Sequence, residues 1–160
     1  GPWAMVQVRA AVPLTQPLFA GYRMEKQVSV LEQKVPGRLT RGDVLKVRIT
    51  VTSSAERQWV VINDPIPGGA TIVGTLGGQS EILGLAASGG EGVQPSYVER
   101  GRDAWRGYFE WVPRGRFVVE YTVRLNGVGR FNLPPTRVEA MYSPEIRAQV
   151  PNGPIAVALQ

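Results

Sequence analysis

Arg116-Phe117-Val118-Val119-Glu120-Tyr121-Thr122-Val123-Arg124-Leu125 is the clearest strand in the chain. Phe117, Val119, Tyr121, Val123 and Leu125 share one parity, which aims five apolar side chains at one face of a pleated strand. Pro113-Arg114-Gly115 precedes it and Asn126-Gly127 follows it, both turn signals. Upstream, residues 104–112 put Trp105, Gly107, Phe109 and Trp111 on one parity with Tyr108 opposed, and Arg102-Asp103 turns a hairpin back to residues 97–100. Residues 44–52 alternate cleanly, with Leu45, Val47, Ile49 and Val51 facing in and Lys46, Arg48, Thr50 and Thr52 facing out. Trp59-Val60-Val61-Ile62-Asn63-Asp64 is apolar nearly throughout, which predicts a strand covered on both faces or one crossing the core. Asn63-Asp64 reads as a source of strand-end hydrogen bonds, and Pro65-Ile66-Pro67-Gly68-Gly69 stops the run. Residues 70–76 form another short strand. Residues 19–32 alternate imperfectly, with apolar side chains on both parities, as in a strand that bends between two sheets.

Short strands at turn spacings of roughly 8–15 residues predict an all-β fold, an antiparallel two-sheet β-sandwich, with a closed barrel as the alternative. The expected core comprises Leu45, Val47, Ile49, Val61, Trp105, Phe109, Phe117, Val119, Tyr121 and Val123. A length of 160 residues fits one domain. Residues 1–5 read as a protease scar plus cloning residues, and residues 6–18 as an extended lead-in or edge strand broken by Pro13 and Pro17. Residues 19–160 form the domain proper, with a glycine-rich insertion at about 77–95 and a helical turn near 81–86. No glycine pattern there opens a phosphate-binding helix. No apolar run approaches ~18 residues, so no segment reads as a membrane span. The abrupt start is expected of a piece of a larger chain.

The chemistry is sparse. There is no cysteine and no histidine, which removes disulfides, thiolate metal sites, a cysteine nucleophile and the usual general base. Only carboxylates remain as acids or bases, and none are spaced as a pair. The chain is therefore expected not to be an enzyme, with no catalytic residue, metal or cofactor. The net charge is +5. Arginines 100, 102, 106, 114, 116, 124, 130 and 137 stand against Asp103, Glu110 and Glu120, which accounts for that surplus. Such a face can meet nucleic acid, acidic lipid or an acidic protein, or form solvated strand faces; no nucleic-acid-binding motif accompanies it. Arg41-Gly42-Asp43 is a cell-adhesion tripeptide, placed where a turn before a strand is needed anyway.

Leu133-Pro134-Pro135-Thr136-Arg137-Val138-Glu139-Ala140-Met141-Tyr142-Ser143-Pro144-Glu145 mixes a proline lead with period-2 alternation. Ser143-Pro144 reads as the strand's end. Met141 and Tyr142 then stand side by side at a strand end, either as edge-of-core residues or as groups reaching a neighbour.

This segment, Gly21-Tyr22-Arg23-Met24, Leu39-Thr40-Arg41-Gly42-Asp43-Val44-Leu45-Lys46-Val47-Arg48 and Trp59-Val60-Val61-Ile62-Asn63-Asp64-Pro65-Ile66-Pro67-Gly68-Gly69 together resemble the final, C-terminal macroglobulin-like domain of bacterial α2-macroglobulins. The resemblance spans about residues 19–157. It implies a macroglobulin-like, immunoglobulin-like β-sandwich within a periplasmic proteinase-trapping protein, anchored by lipid to the inner membrane. It implies that proteinases are met through the full-length protein and that this domain packs against the thioester-type domain of the same chain. Met141 and Tyr142 match a pair that covers the thioester from water; in the class without a thioester the pair would only stabilise an interface. No contact of this domain with nucleic acid or membrane is implied. The glycine-rich stretch at 77–95 is longer than the family pattern. The alternative is an adhesion or binding domain of a bacterial surface protein, using the Arg41-Gly42-Asp43 turn or the arginine-rich face.

Overall fold

The computed structural model describes residues 1–73, 93 and 95–159. Residues 1–17 form no strand, and the chain enters its first strand at Leu18. The strands are β1 (Leu18–Ala20), β2 (Tyr22–Glu32), β3 (Val44–Ser53), β4 (Arg57–Pro65), β5 (Thr71–Val73), β6 (Tyr97–Arg100), β7 (Ala104–Val112), β8 (Gly115–Arg124), β9 (Gly129–Phe131), β10 (Thr136–Ala140), β11 (Ser143–Val150) and β12 (Ile155–Val157). Among the described residues there is no helix. The expected glycine-rich loop and its helical turn lie almost wholly outside the described residues.

Two sheets form the sandwich. One has the order β1-β11-β10-β4-β7-β6 and the other β2-β3-β8-β5, with β9 and β12 paired separately. All these strand pairs are antiparallel. Among the described residues the two sheets do not close on one another, which favours the sandwich over the closed barrel. The predicted hairpin is present: Arg100 pairs with Trp105 and Tyr97 with Tyr108. The bend expected within residues 19–32 falls on Gly21. On one side β1 pairs with β11; on the other β2 pairs with β3. Gly21 has φ +88, and a Cβ there would lie 2.7 Å from Ile146 Cγ2, so only glycine allows the chain to change sheets at this point.

β4 differs from its expectation. Val60 and Ile62 are fully buried, whereas Trp59 is exposed and Val61 and Asn63 are half-buried. Val61 therefore leaves the expected core. The six-stranded sheet has one covered face, and the parity of β4 gives that face to the even-numbered residues. The other expected core residues are buried. Trp105 stacks on Tyr121 at 5.3 Å with an interplanar angle of 4°, and Phe109 meets Phe117 at 5.5 Å, so β7 of one sheet grips β8 of the other. Gly107 makes room for this: a Cβ there would lie 2.5 Å from the Trp105 ring.

A polar cluster pins the sheets together inside this core. Asp64, fully buried at the end of β4, accepts hydrogen bonds from the Tyr121 hydroxyl, the Thr136 hydroxyl and Lys26 Nζ, the last at 2.6 Å. Lys26 Nζ also donates to Asn152 Oδ1 at 2.9 Å, and Asn152 Nδ2 donates to the Pro134 carbonyl at 2.7 Å. β2 and β8 of one sheet thereby meet β4 and β10 of the other. The strand-end hydrogen bond read from Asn63-Asp64 is in fact the hub of a cross-sandwich network.

Candidate functional site

β10 and β11 form a hairpin in which Ala140 pairs with Ser143, leaving Met141 and Tyr142 as its two-residue tip. Ser143-Pro144 does not end the strand region; it opens β11. The register shifts between Glu139, opposite Arg147, and Ala140, opposite Ser143, so Pro144 lies in the bulge between. A missing N–H is harmless there, because the ladder is already interrupted. The bulge re-aims the tip. Met141 is 45% and Tyr142 79% exposed. Both residues thus sit at a turn rather than on a strand, outside the core.

Trp59 of the neighbouring β4 meets this tip. Its carbonyl accepts the Met141 N–H at 2.7 Å, and its ring lies edge-on to Tyr142, with centroids 6.4 Å apart at 87°. Trp111 of β7 is also exposed at this end of the sheet, opposite Gln58, with its indole N–H on Glu56 at 2.7 Å. Sequence reasoning had not joined Trp59 to the pair. Its only signal was an aromatic at the outer parity of a strand, whose neighbour in the sheet comes from more than eighty residues downstream.

The Arg41-Gly42-Asp43 turn is built differently from an adhesive loop. Asp43 is 1% exposed. Its carboxylate accepts the Thr40 N–H at 2.8 Å, the Lys34 N–H at 3.1 Å and the Thr40 hydroxyl at 3.1 Å. Burial pushes this carboxyl up, but those donors and the Lys34 charge outweigh burial and hold it below the usual range. The Gly42 N–H is tied to the Leu125 carbonyl at 2.6 Å, and the Arg41 N–H to that of Ala158 at 3.0 Å. The acid that a receptor would need faces inward.

The arginine-rich region is divided among local partners and open surface. Arg106 meets Asp103 at 2.6 Å and Glu99 at 3.0 Å, Arg137 pairs with Glu139, and Glu120 takes Arg48 at 2.8 Å and Lys46 at 3.1 Å. Hydrogen bonding from Arg106 holds Asp103 low. Arg102, Arg106 and Arg130 line an open cleft of about 630 Å³ with Phe131, Pro134 and Pro135. Among the described residues no group of three or more His, Cys, Asp or Glu side chains could hold a metal ion.

The family model for the bacterial α2-macroglobulin MG10 domain matches residues 21–145. The chain belongs to that family. No curated protein matches this MG10 domain. It is similar to native Escherichia coli α2-macroglobulin in a crystal structure running from domain MG7 to the C-terminus, with 20% identity, a TM-score of 0.72, and coverage of 91% of this chain and 25% of that one. The native conformation of the E. coli protein by cryo-electron microscopy matches at 22% identity and TM-score 0.72, over 92% and 10% of the two chains. Salmonella α2-macroglobulin reacted with methylamine matches at 22% and 0.68, over 89% and 10%. At these identities the likeness shows the fold. The MG10 domain spans between a tenth and a quarter of those chains.

Proposed function

We propose that this MG10 domain is the C-terminal interaction module of a proteinase-trapping bacterial α2-macroglobulin, and that Met141 and Tyr142 dock on the neighbouring thioester-type domain. The observation that carries the reading is the hairpin tip: two large apolar side chains held out from a rigid sheet, backed by Trp59. A thioester survives only where water is kept away. Met is apolar and adaptable, and Tyr adds a broad ring with a polar end, so the two suit a cover over such a bond. Methylamine attacks thioesters, and the Salmonella relative was reacted with it. The domain itself acts without catalysis; trapping belongs to the whole parent in the periplasm, where one domain moves against another. The adhesion reading loses support from the buried Asp43 carboxylate.

The test is replacement of Met141 and Tyr142 by Ala, both in the 160-residue chain and in its parent. In the former the cost is about 1 kcal/mol or less by urea unfolding, because neither side chain is core. In a parent with a thioester, incorporation of labelled methylamine into the resting protein rises several-fold. Unchanged incorporation removes the covering role, and collapse of the variant domain makes the pair structural instead.

A further inference from the structure

Trp59 has φ +53, the only non-glycine residue with positive φ among the described residues. A bulky aromatic is disfavoured in that region, and such strain persists where its surroundings hold it and is frequent at functional sites. It lies in a central strand whose pairing resumes in the same register on either side: Gln58 opposite Trp111, then Val60 opposite Phe109. Trp59 is 43% exposed, so core packing does not account for its backbone conformation. Two contacts do. The backbone carbonyl anchors Met141, and the ring meets Tyr142 edge-on. One residue therefore holds both members of the tip, the first through its backbone and the second through its indole.

We infer that Trp59 is the positioning residue of the docking tip and its third contact surface, received by an apolar hollow on another domain of the parent chain that also offers a hydrogen-bond acceptor. This rests on the docking role proposed above. The occupant follows from three features. Tyr142 is 79% exposed, and its hydroxyl is a donor that an apolar hollow must satisfy. Trp59, Met141 and Tyr142 make an exposed apolar patch of the kind that marks interaction surfaces. And the matched α2-macroglobulins carry at least three further parts in four of their length outside this domain, so the receiving surface has a place in the same chain. Edge-to-face packing restricts the Tyr142 ring before docking, so less freedom is lost when it docks.

The experiment compares amide hydrogen exchange at the 140–143 hairpin in the 160-residue chain and in the full-length parent. The protection gained in the parent measures docking. Trp59→Ala and Trp59→Gly should both reduce that gain about tenfold, while Trp59→Phe, which keeps a ring edge, should retain most of it. Trp59→Gly relieves the backbone, so the urea midpoint of the 160-residue chain should stay level or rise. A large fall in that midpoint would make Trp59 a structural residue and overturn the inference. If Met141→Ala with Tyr142→Ala abolishes the gain but the Trp59 variants keep it, the inference fails and the docking reading stands. If the wild-type parent shows no gain, both fall.

Discussion

Asp43 and Asp64 are two buried carboxylates solved in different ways. Asp43 is satisfied within its own turn by backbone N–H groups, and its pKa is lowered despite burial. A depressed folded pKa contributes stability above the unfolded value, near 3.9, and that contribution is lost as pH falls through the folded value. Asp43→Asn should therefore flatten the acid limb of a urea midpoint-versus-pH curve below about pH 4, and lower stability at pH 7. Asp64 instead depends on residues far away in sequence, above all Lys26, whose side chain is 8% exposed. Lys26→Met keeps most of the stem but leaves the carboxylate without its cation. Breaking a buried pair from one side costs ~3–5 kcal/mol, which denaturant unfolding will read directly. In the sequence Lys26 stands on the parity of Tyr22, Met24, Val28 and Val30, a charge among apolar side chains. Its partners are not legible there, because they stand 38, 110 and 126 residues away.

Elements here are defined as much by where they stop as by what they contain. β1 and β2 would be one strand but for Gly21, and the change of sheet needs both its left-handed φ and its missing side chain. Gly21→Ala should cost roughly 1–3 kcal/mol and broaden the thermal transition of the 160-residue chain, a penalty set by backbone strain before the clash with Ile146 is counted. The β10–β11 hairpin shows the converse. Its proline looked like an end and proved to be a beginning, because a bulge absorbs the residue that cannot donate. Alternation located the strands on both sides. It could not locate the tip, since a two-residue turn of Met and Tyr lacks the glycine or asparagine that usually announces one.

Across the whole molecule, two buried tyrosines register how the sheets close. Burial pushes Tyr22 up to about 12, with the Arg57 charge working against it. Burial also raises Tyr121 well above its ordinary value, helped by the Asp64 charge and its hydrogen bond. A raised folded pKa stabilises the protein fully below the unfolded value, near 10, and that stability is lost as pH rises through the folded value. The domain should accordingly unfold cooperatively in alkali between about pH 10 and 12, followed by tyrosinate absorbance alongside circular dichroism. The two residues separate on substitution. Among the described residues the Tyr22 hydroxyl has no partner, so Tyr22→Phe should be neutral or stabilising at pH 7. Tyr121→Phe removes a donor from a buried charge and should cost ~1–3 kcal/mol.

Period-2 alternation and turn chemistry sufficed for the sandwich, the β6–β7 hairpin, the core face of β8 and a bend somewhere within residues 19–32, because each depends on residues within a few positions of one another. The missing histidines and cysteines alone removed most catalytic designs. Tertiary structure decided the rest. It turned Asp43 inward, so that an adhesive tripeptide became an ordinary turn. It gave β4 one covered face instead of two, moving Val61 out of the core. It brought Trp59 against Met141 and Tyr142, and Asp64 against Lys26, Tyr121 and Thr136. These arrangements depend on which strands become neighbours in a sheet and which sheets face each other. That is set by the packing of the whole chain, and no local window of sequence contains it.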